Sequence, residues 1–108
     1  MHDGPMAELL TDEELTSALD HLPLWRREGS TIVRSVELAS FPQAIQAVNR
    51  VAEIAENDDH HPDIDIRWRT LTFVLSTHSA GGLTAKDTAL ATEIDAVIDA
   101  VHPGTAEA

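Results

Sequence analysis

The chain contains no cysteine and no tyrosine. Disulfides, thiolate nucleophiles and thiolate zinc sites are therefore excluded. Aromatic side chains are few, with two tryptophans and two phenylalanines. Trp25 and Trp68 are thus the largest aromatic surfaces available, expected in the core unless a flat heteroaromatic ligand recruits one of them. Basic residues are also scarce: seven Lys and Arg stand against 19 Asp and Glu, for a formal charge of −12. They are scattered as Arg26-Arg27, Arg34, Arg50, Arg67, Arg69 and Lys86, without the basic footprint that direct nucleic-acid binding needs. An acidic field repels polyanions, so a neutral or weakly charged small molecule suits this surface better than a polyphosphate. No apolar run approaches membrane-spanning length, which argues against a membrane partner. Met1-His2-Asp3-Gly4-Pro5 lacks the basic and apolar regions of a secretory signal, so a cytoplasmic location is expected.

What is present suits one domain over residues 1–108, with an ordered core over about 9–102. Residues 1–8 read as a loose tail. Thr11 and Glu14 form a capping box before a short helix with Leu15, Ala18, Leu19 and Leu22 on one stripe, which Pro23 ends. Leu24 to Glu28 and Thr31 to Leu38 read as strands joined by a Gly29-Ser30 turn. Arg34 interrupts the apolar face of the second, so it needs an edge position or a partner. Ser40 and Gln43 read as a second capping box. Phe41, Ala44, Ile45, Val48, Val51, Ala52 and Ala55 then mark a helix that should bury against a sheet. Pro62 disfavours helix at His61 and stops it. Ile64 to Trp68 and Leu71 to Ser76 read as a second strand pair, followed by a Gly81-Gly82 break. Thr84 with Asp87 caps a last helix bearing Leu90, Ile94, Val97, Ile98 and Val101, which Pro103-Gly104 ends. The order α-β-β-α-β-β-α predicts a two-layer α+β fold: a four-stranded antiparallel sheet with three helices on one face.

The chemistry concentrates between Glu56 and Asp87. Neighbouring side chains diverge on a strand or a helix, so His60 and His61 can share a pocket only on an irregular turn, and Pro62 favours one. Ser76-Thr77-His78 lies where the last strand ends. If the second hairpin pairs as read, that end lies beside the His60-His61-Pro62 turn, and three imidazoles meet at one rim. Metal ligation is one use for them, with Asp59 or Asp63 as a further ligand. General acid-base work is the other, and it fits better because histidine titrates near neutral pH. A carboxylate among Glu56, Asp58, Asp59, Asp63 and Asp65 would keep one histidine available as a proton donor. Asp87 alone reads as a capping residue. Ser76 and Thr77 lack the surrounding sequence of a nucleophile.

Glu56, His60-His61-Pro62, Trp68, His78 and Asp87, at these spacings, resemble the signature of the pterin-4a-carbinolamine dehydratases, and the element order extends the resemblance from about Leu10 to Val101. The resemblance implies removal of water from a 4a-hydroxytetrahydropterin to give the quinonoid dihydropterin, in pterin cofactor recycling, with no metal and no organic cofactor. It implies that His60 and His78 act as general acid and base and that His61 binds the ring. Glu56, Asp59 and Asp87 would support the histidines or touch the ring. Pro62, Ser76 and Thr77 would line the site, and Trp25 would help wall it. Many relatives carry tryptophan where this chain has Ile64, which removes aromatic packing beside the proline. The resemblance further implies a homodimer or homotetramer. It carries an alternative as well: a non-catalytic binding or assembly protein of the same fold that stabilises a partner protein.

Overall fold

The computed structural model describes residues 8–102. Residues 1–7 of the tail expected over 1–8, and the Pro103-Gly104 stop, lie outside the described residues. Three helices and four strands follow the expected order. Helix α1 (Asp12–Leu19) opens on the Thr11–Glu14 capping box, with both reciprocal bonds formed. It stops before Leu22. The N–H groups of His21 and Leu22 turn back to Ala18 and Leu19, and Pro23 has no N–H to continue the ladder. Leu22 is still buried.

Strand β1 (Arg26–Glu28) is shorter than expected, because the Trp25 N–H bonds the Leu22 carbonyl inside the preceding turn. Gly29, at φ +62°, supplies the left-handed turn residue into β2 (Thr31–Glu37). Helix α2 (Phe41–Asp58) is capped by Ser40 and carries Pro42 in its first turn. The Ser40–Gln43 box is half formed. The Gln43 N–H donates to Ser40 Oγ, but Gln43 Oε1 accepts from Ala39 N, and its amide donates to the Val101 carbonyl. Gln43 thus ties the start of α2 to the end of the last helix rather than closing its own box. Strands β3 (Asp63–Arg67) and β4 (Thr70–Leu75) form a hairpin through Trp68-Arg69. A short 3-10 turn (His78–Ala80) leads to α3 (Ala85–Val101).

The sheet order is β1-β2-β4-β3, antiparallel throughout. β2 and β4 are central, and β3 is an edge strand. Ile32, Arg34 and Val36 of β2 and Leu71, Phe73 and Leu75 of β4 share the inner face and are buried. The apolar members pack in one core with Leu15 of α1, Ala44, Ala47 and Val51 of α2, and Leu90, Ile94 and Ile98 of α3. All three helices therefore lie against this face, and each fully buried aliphatic side chain contributes about 1.5–3 kcal/mol. Arg34, only 1% exposed, stands among them because it has a partner: it pairs with Asp95 of α3. It does not take the edge position that was the other expectation. Trp25 is in the core as expected, but Trp68 is 70% exposed at the hairpin link. Among the described residues no helix is long and apolar enough to cross a membrane.

Candidate active site

The site is built around the end of α2. Asp59 takes left-handed geometry (φ 52°, ψ 41°). Its N–H bonds the Glu56 carbonyl, and the His60 N–H bonds the Ala55 carbonyl. These two bonds are those of a Schellman cap, with aspartate where glycine is usual. The cap fixes the backbone at His60 and turns its ring inward. His60 is buried, while His61, one residue on, is exposed. Pro62 then leads into β3.

His60 Nε2 lies 2.7 Å from Asp87 Oδ1. Asp87 is 0% exposed and sits in the first turn of α3. Its other oxygen accepts from Thr77 Oγ1 at 2.7 Å and from the Thr84 N–H at 2.9 Å. A hydroxyl has one proton to give, and Thr77 gives its own to Asp87. The 2.8 Å contact between the two threonine hydroxyls is therefore donated by Thr84. Thr84 Oγ1 in turn accepts from the Lys86 N–H. Donors thus surround the Asp87 carboxylate, which holds the proton of His60 on Nε2 and fixes the ring's orientation. Asp87 does cap α3 as its local sequence indicates, and with its second oxygen it also holds His60, 27 residues earlier.

β4 ends beside the start of β3, with Val74 opposite Asp63, as the hairpin reading requires. Half-buried Ser76 follows, then Thr77, whose N–H bonds the Gly82 carbonyl at 2.8 Å and closes the loop that carries His78. His78 opens the 3-10 turn and is exposed. Thus His60, Thr77 and Asp87 form one bonded cluster, and His78 adjoins it through Thr77. His61 stands at the solvent rim with Nε2 2.8 Å from Glu56 Oε1, both side chains exposed. Asp87 thus meets His60, and Glu56 meets His61. Asp58, on the last turn of α2, neighbours Glu93 of α3. Partial burial, followed by the presence of Asp58, raises the Glu93 carboxyl above its ordinary value. Thr84, read from the sequence only as a helix cap, is a full member of the cluster. The T-x-x-D spacing that marks the cap was the available signal.

Trp25 belongs to a different cluster. Its indole N–H donates to Asp95 Oδ1 at 2.9 Å, the same oxygen that meets Arg34. Among the described residues no group of three or more His, Asp or Glu is arranged to hold a metal ion.

Comparison with known proteins shows the family of the chain. The profile of the pterin 4 alpha carbinolamine dehydratase family matches residues 8–97. A Nocardia farcinica protein, provisionally named pterin-4-alpha-carbinolamine dehydratase, is 62% identical over 88 residues, covering 82% of this chain and 93% of its own. A Mycobacteroides abscessus protein with the same provisional name is 60% identical over 90 residues, covering 83% of this chain and 96% of its own. The crystal structure of a transcriptional coactivator/pterin dehydratase from Brucella melitensis aligns with a TM-score of 0.80 at 31% identity, covering 82% of this chain and 97% of that one. A pterin dehydratase-like protein identified as a RuBisCO assembly factor in the alpha-carboxysome aligns at 0.59 with 21% identity, over 68% of this chain and 87% of that one, and so shares the fold. With the profile spanning most of the fold and the relatives this similar, the chain is a member of the pterin 4 alpha carbinolamine dehydratase family.

Proposed function

We propose that the protein dehydrates a 4a-hydroxytetrahydropterin to the quinonoid dihydropterin by histidine acid-base catalysis. The observation that carries this reading is the buried His60–Asp87–Thr77 cluster beside the exposed His61 and His78. In the reaction the C4a–O bond breaks. One imidazole protonates the leaving hydroxyl, which departs as water. The lone pair of the ring nitrogen forms the new C=N bond, and a ring N–H gives its proton to a second imidazole. Two proton carriers on opposite duties are therefore needed. His60 and His78 take those roles, and His61, braced by Glu56, orients the ring. Asp87 and Thr77 set the angle of His60. Asp59 holds the turn from which His60 and His61 project, and Pro62 and Ser76 line its rim. The local charge agrees with the substrate. Glu56, Asp59 and Asp63 crowd the turn, and a pterin with a neutral side chain meets less repulsion there than an anionic one.

The test is a dehydration assay. Phenylalanine hydroxylase generates the 4a-hydroxytetrahydropterin, and its decay is followed by ultraviolet absorbance. Faster decay with the wild type, and decay near the spontaneous rate with His60→Ala and with His78→Ala, is the expected result. An unchanged spontaneous rate with the wild type would sink the reading for this substrate. The second reading is the alternative raised above, a binding or assembly protein that stabilises a partner without turnover. The retention of all three histidines favours the enzyme over it.

A further inference from the structure

A helix N-cap asks only for an acceptor of a backbone N–H, and aspartate, asparagine and serine serve there at least as well as threonine. Thr84 does that and more. Its Oγ1 accepts from the Lys86 N–H at 3.1 Å and so caps α3. Its own N–H donates to Asp87 Oδ2 at 2.9 Å, as that of any residue but proline could. Neither bond uses the hydroxyl proton. That proton goes to Thr77 Oγ1, 2.8 Å away. An aspartate in this place would suffice for the cap, but its carboxylate has no proton to give.

The donated proton sets a direction. Thr77 Oγ1 accepts it, and Asp87 Oδ2, 2.7 Å from that oxygen, can only accept in turn. The chain of bonds therefore runs from Thr84 through Thr77 to Asp87, whose remaining oxygen lies 2.7 Å from His60 Nε2. Each donation polarises the next hydroxyl and strengthens the bond that follows. Thr77, Thr84 and Asp87 are all buried, so solvent does not reach the chain to replace a lost donor. The backbone at Thr84 is held separately. Thr84 pairs with Leu9 in an antiparallel bridge, and the Leu10 N–H donates to the Leu83 carbonyl at 2.9 Å. Loss of the hydroxyl would leave the Thr84 N–H in place on Asp87 and take away the start of the chain.

We propose that Thr84 is a positioning residue for the reaction: acting through Thr77, its hydroxyl proton steadies the Asp87 carboxylate and thereby the ring of His60. The cap of α3 and the site then share one hydroxyl. A residue that served the cap alone would leave Thr77 a weaker donor, with a hydroxyl free to turn, and Asp87 with a looser hold on His60. The kinetic half of this proposal rests on the acid-base reading of His60, whereas the half that concerns the position of the ring does not.

Two measurements test it. The first is a double-mutant cycle on turnover of the 4a-hydroxytetrahydropterin. Thr84→Val keeps the shape of the side chain and removes the hydroxyl, and kcat should fall about fivefold with KM within about twofold of wild type. Thr84→Ser should restore kcat. In a Thr77→Val background the step through Thr77 is already gone, so Thr84→Val should lower kcat by less than about twofold. Loss of the cap would act equally in both backgrounds. Equal falls therefore reduce Thr84 to a cap and overturn the proposal, as does a wild-type kcat in Thr84→Val. Thr84→Gly, which an N-cap tolerates, also lacks the hydroxyl and takes the place of Thr84→Val if that variant does not fold. The second measurement is the exchange of the His60 ring proton with solvent, read by proton NMR. The signal should exchange slowly in the wild type and in Thr84→Ser, and about fivefold faster in Thr84→Val. Equal exchange in all three overturns the hold on the ring. A wild type that leaves the spontaneous dehydration rate unchanged overturns the acid-base reading, and the kinetic half with it, while the ring proton still judges the rest.

Discussion

Helix α3 carries two carboxylates that each reach a buried cluster, and the clusters differ in what they can do with a proton. Asp87, in the first turn, accepts from an imidazole, a hydroxyl and a backbone amide. Asp95, two turns later, accepts from the Arg34 guanidinium and the Trp25 indole. A guanidinium does not give up its proton in a protein, and an indole only donates. The Asp95 cluster can therefore fix α3 against the sheet but cannot take part in proton transfer. The Asp87 cluster ends on the one kind of side chain that exchanges protons at neutral pH, and its neighbours His61 and His78 face solvent. One helix thus holds two clusters: its start holds the His60 imidazole and its middle holds Arg34 and Trp25.

The two clusters should differ most in what their loss does to turnover. His60→Ala is expected to lower kcat about a thousandfold while the chain remains folded, as removal of an acid-base group does. Stopped-flow decay of the 4a-hydroxytetrahydropterin measures the loss, and a kcat within tenfold of wild type would end the assignment. On the other side, Asp95→Ala leaves Arg34 buried without the carboxylate that meets it. The expected cost is about 3 kcal/mol, read as a lower urea midpoint, with kcat per folded molecule unchanged. Replacing both partners by apolar residues, Arg34→Met with Asp95→Leu, should return most of that stability. If Asp95→Ala lowers kcat in the folded protein instead, the division of α3 into two roles is wrong.

Those two clusters also show what a sequence can reveal and what it cannot. β2, β4, α2 and α3 were legible because apolar residues recur at period two or at spacings of three and four, and local periodicity alone sets which face is buried. The capping boxes at Thr11 and Thr84 were legible for the same local reason. Ser40–Gln43 has the spacing of a box, but Gln43 turns to Val101, which is 58 residues away. Arg34 announced that it needed a partner without naming Asp95. Trp68 carried no sign of its exposure, since a tryptophan at the end of an expected Ile64–Trp68 strand reads as core, whereas the strand stops at Arg67 and Trp68 enters the link with positive φ. At the candidate site, His60, Thr77 and Asp87 were each named from the chain. Only the fold shows that one carboxylate both caps α3 and holds His60, because that bond spans 27 residues.

Smaller changes sharpen the contrast within the Asp87 cluster. Thr77→Val keeps the shape of the side chain and removes one hydroxyl, leaving Thr84 Oγ1 to donate to nothing and Asp87 with one donor fewer. About 1–2 kcal/mol of stability should be lost, together with a severalfold fall in kcat as His60 loses orientation. Thr77→Ser, which restores the hydroxyl, should recover both, and a failure to recover kcat would mean that the methyl group rather than the hydroxyl matters.

The smallest expected effect separates the end of α2 from the Asp87 cluster. Partial burial and neighbouring Asp58 raise the Glu93 carboxyl above 4.5. Between that ordinary value and the raised one, the folded chain holds a proton that the unfolded chain has released. Stability from this group is therefore full below pH 4.5, falls as pH rises through the raised value, and is absent above it. Glu93→Gln cannot ionise, so its urea midpoint should decline less than that of the wild type across this window. Near neutral pH the variant should be equally stable or slightly more so. A variant whose midpoint follows the wild type at every pH would place the proton elsewhere. Because Glu93 does not touch the His60–Asp87 bond, the pH profile of kcat should be the same in both proteins. A shifted kcat profile would show that the Asp58–Glu93 pair is coupled to the histidines through the end of α2.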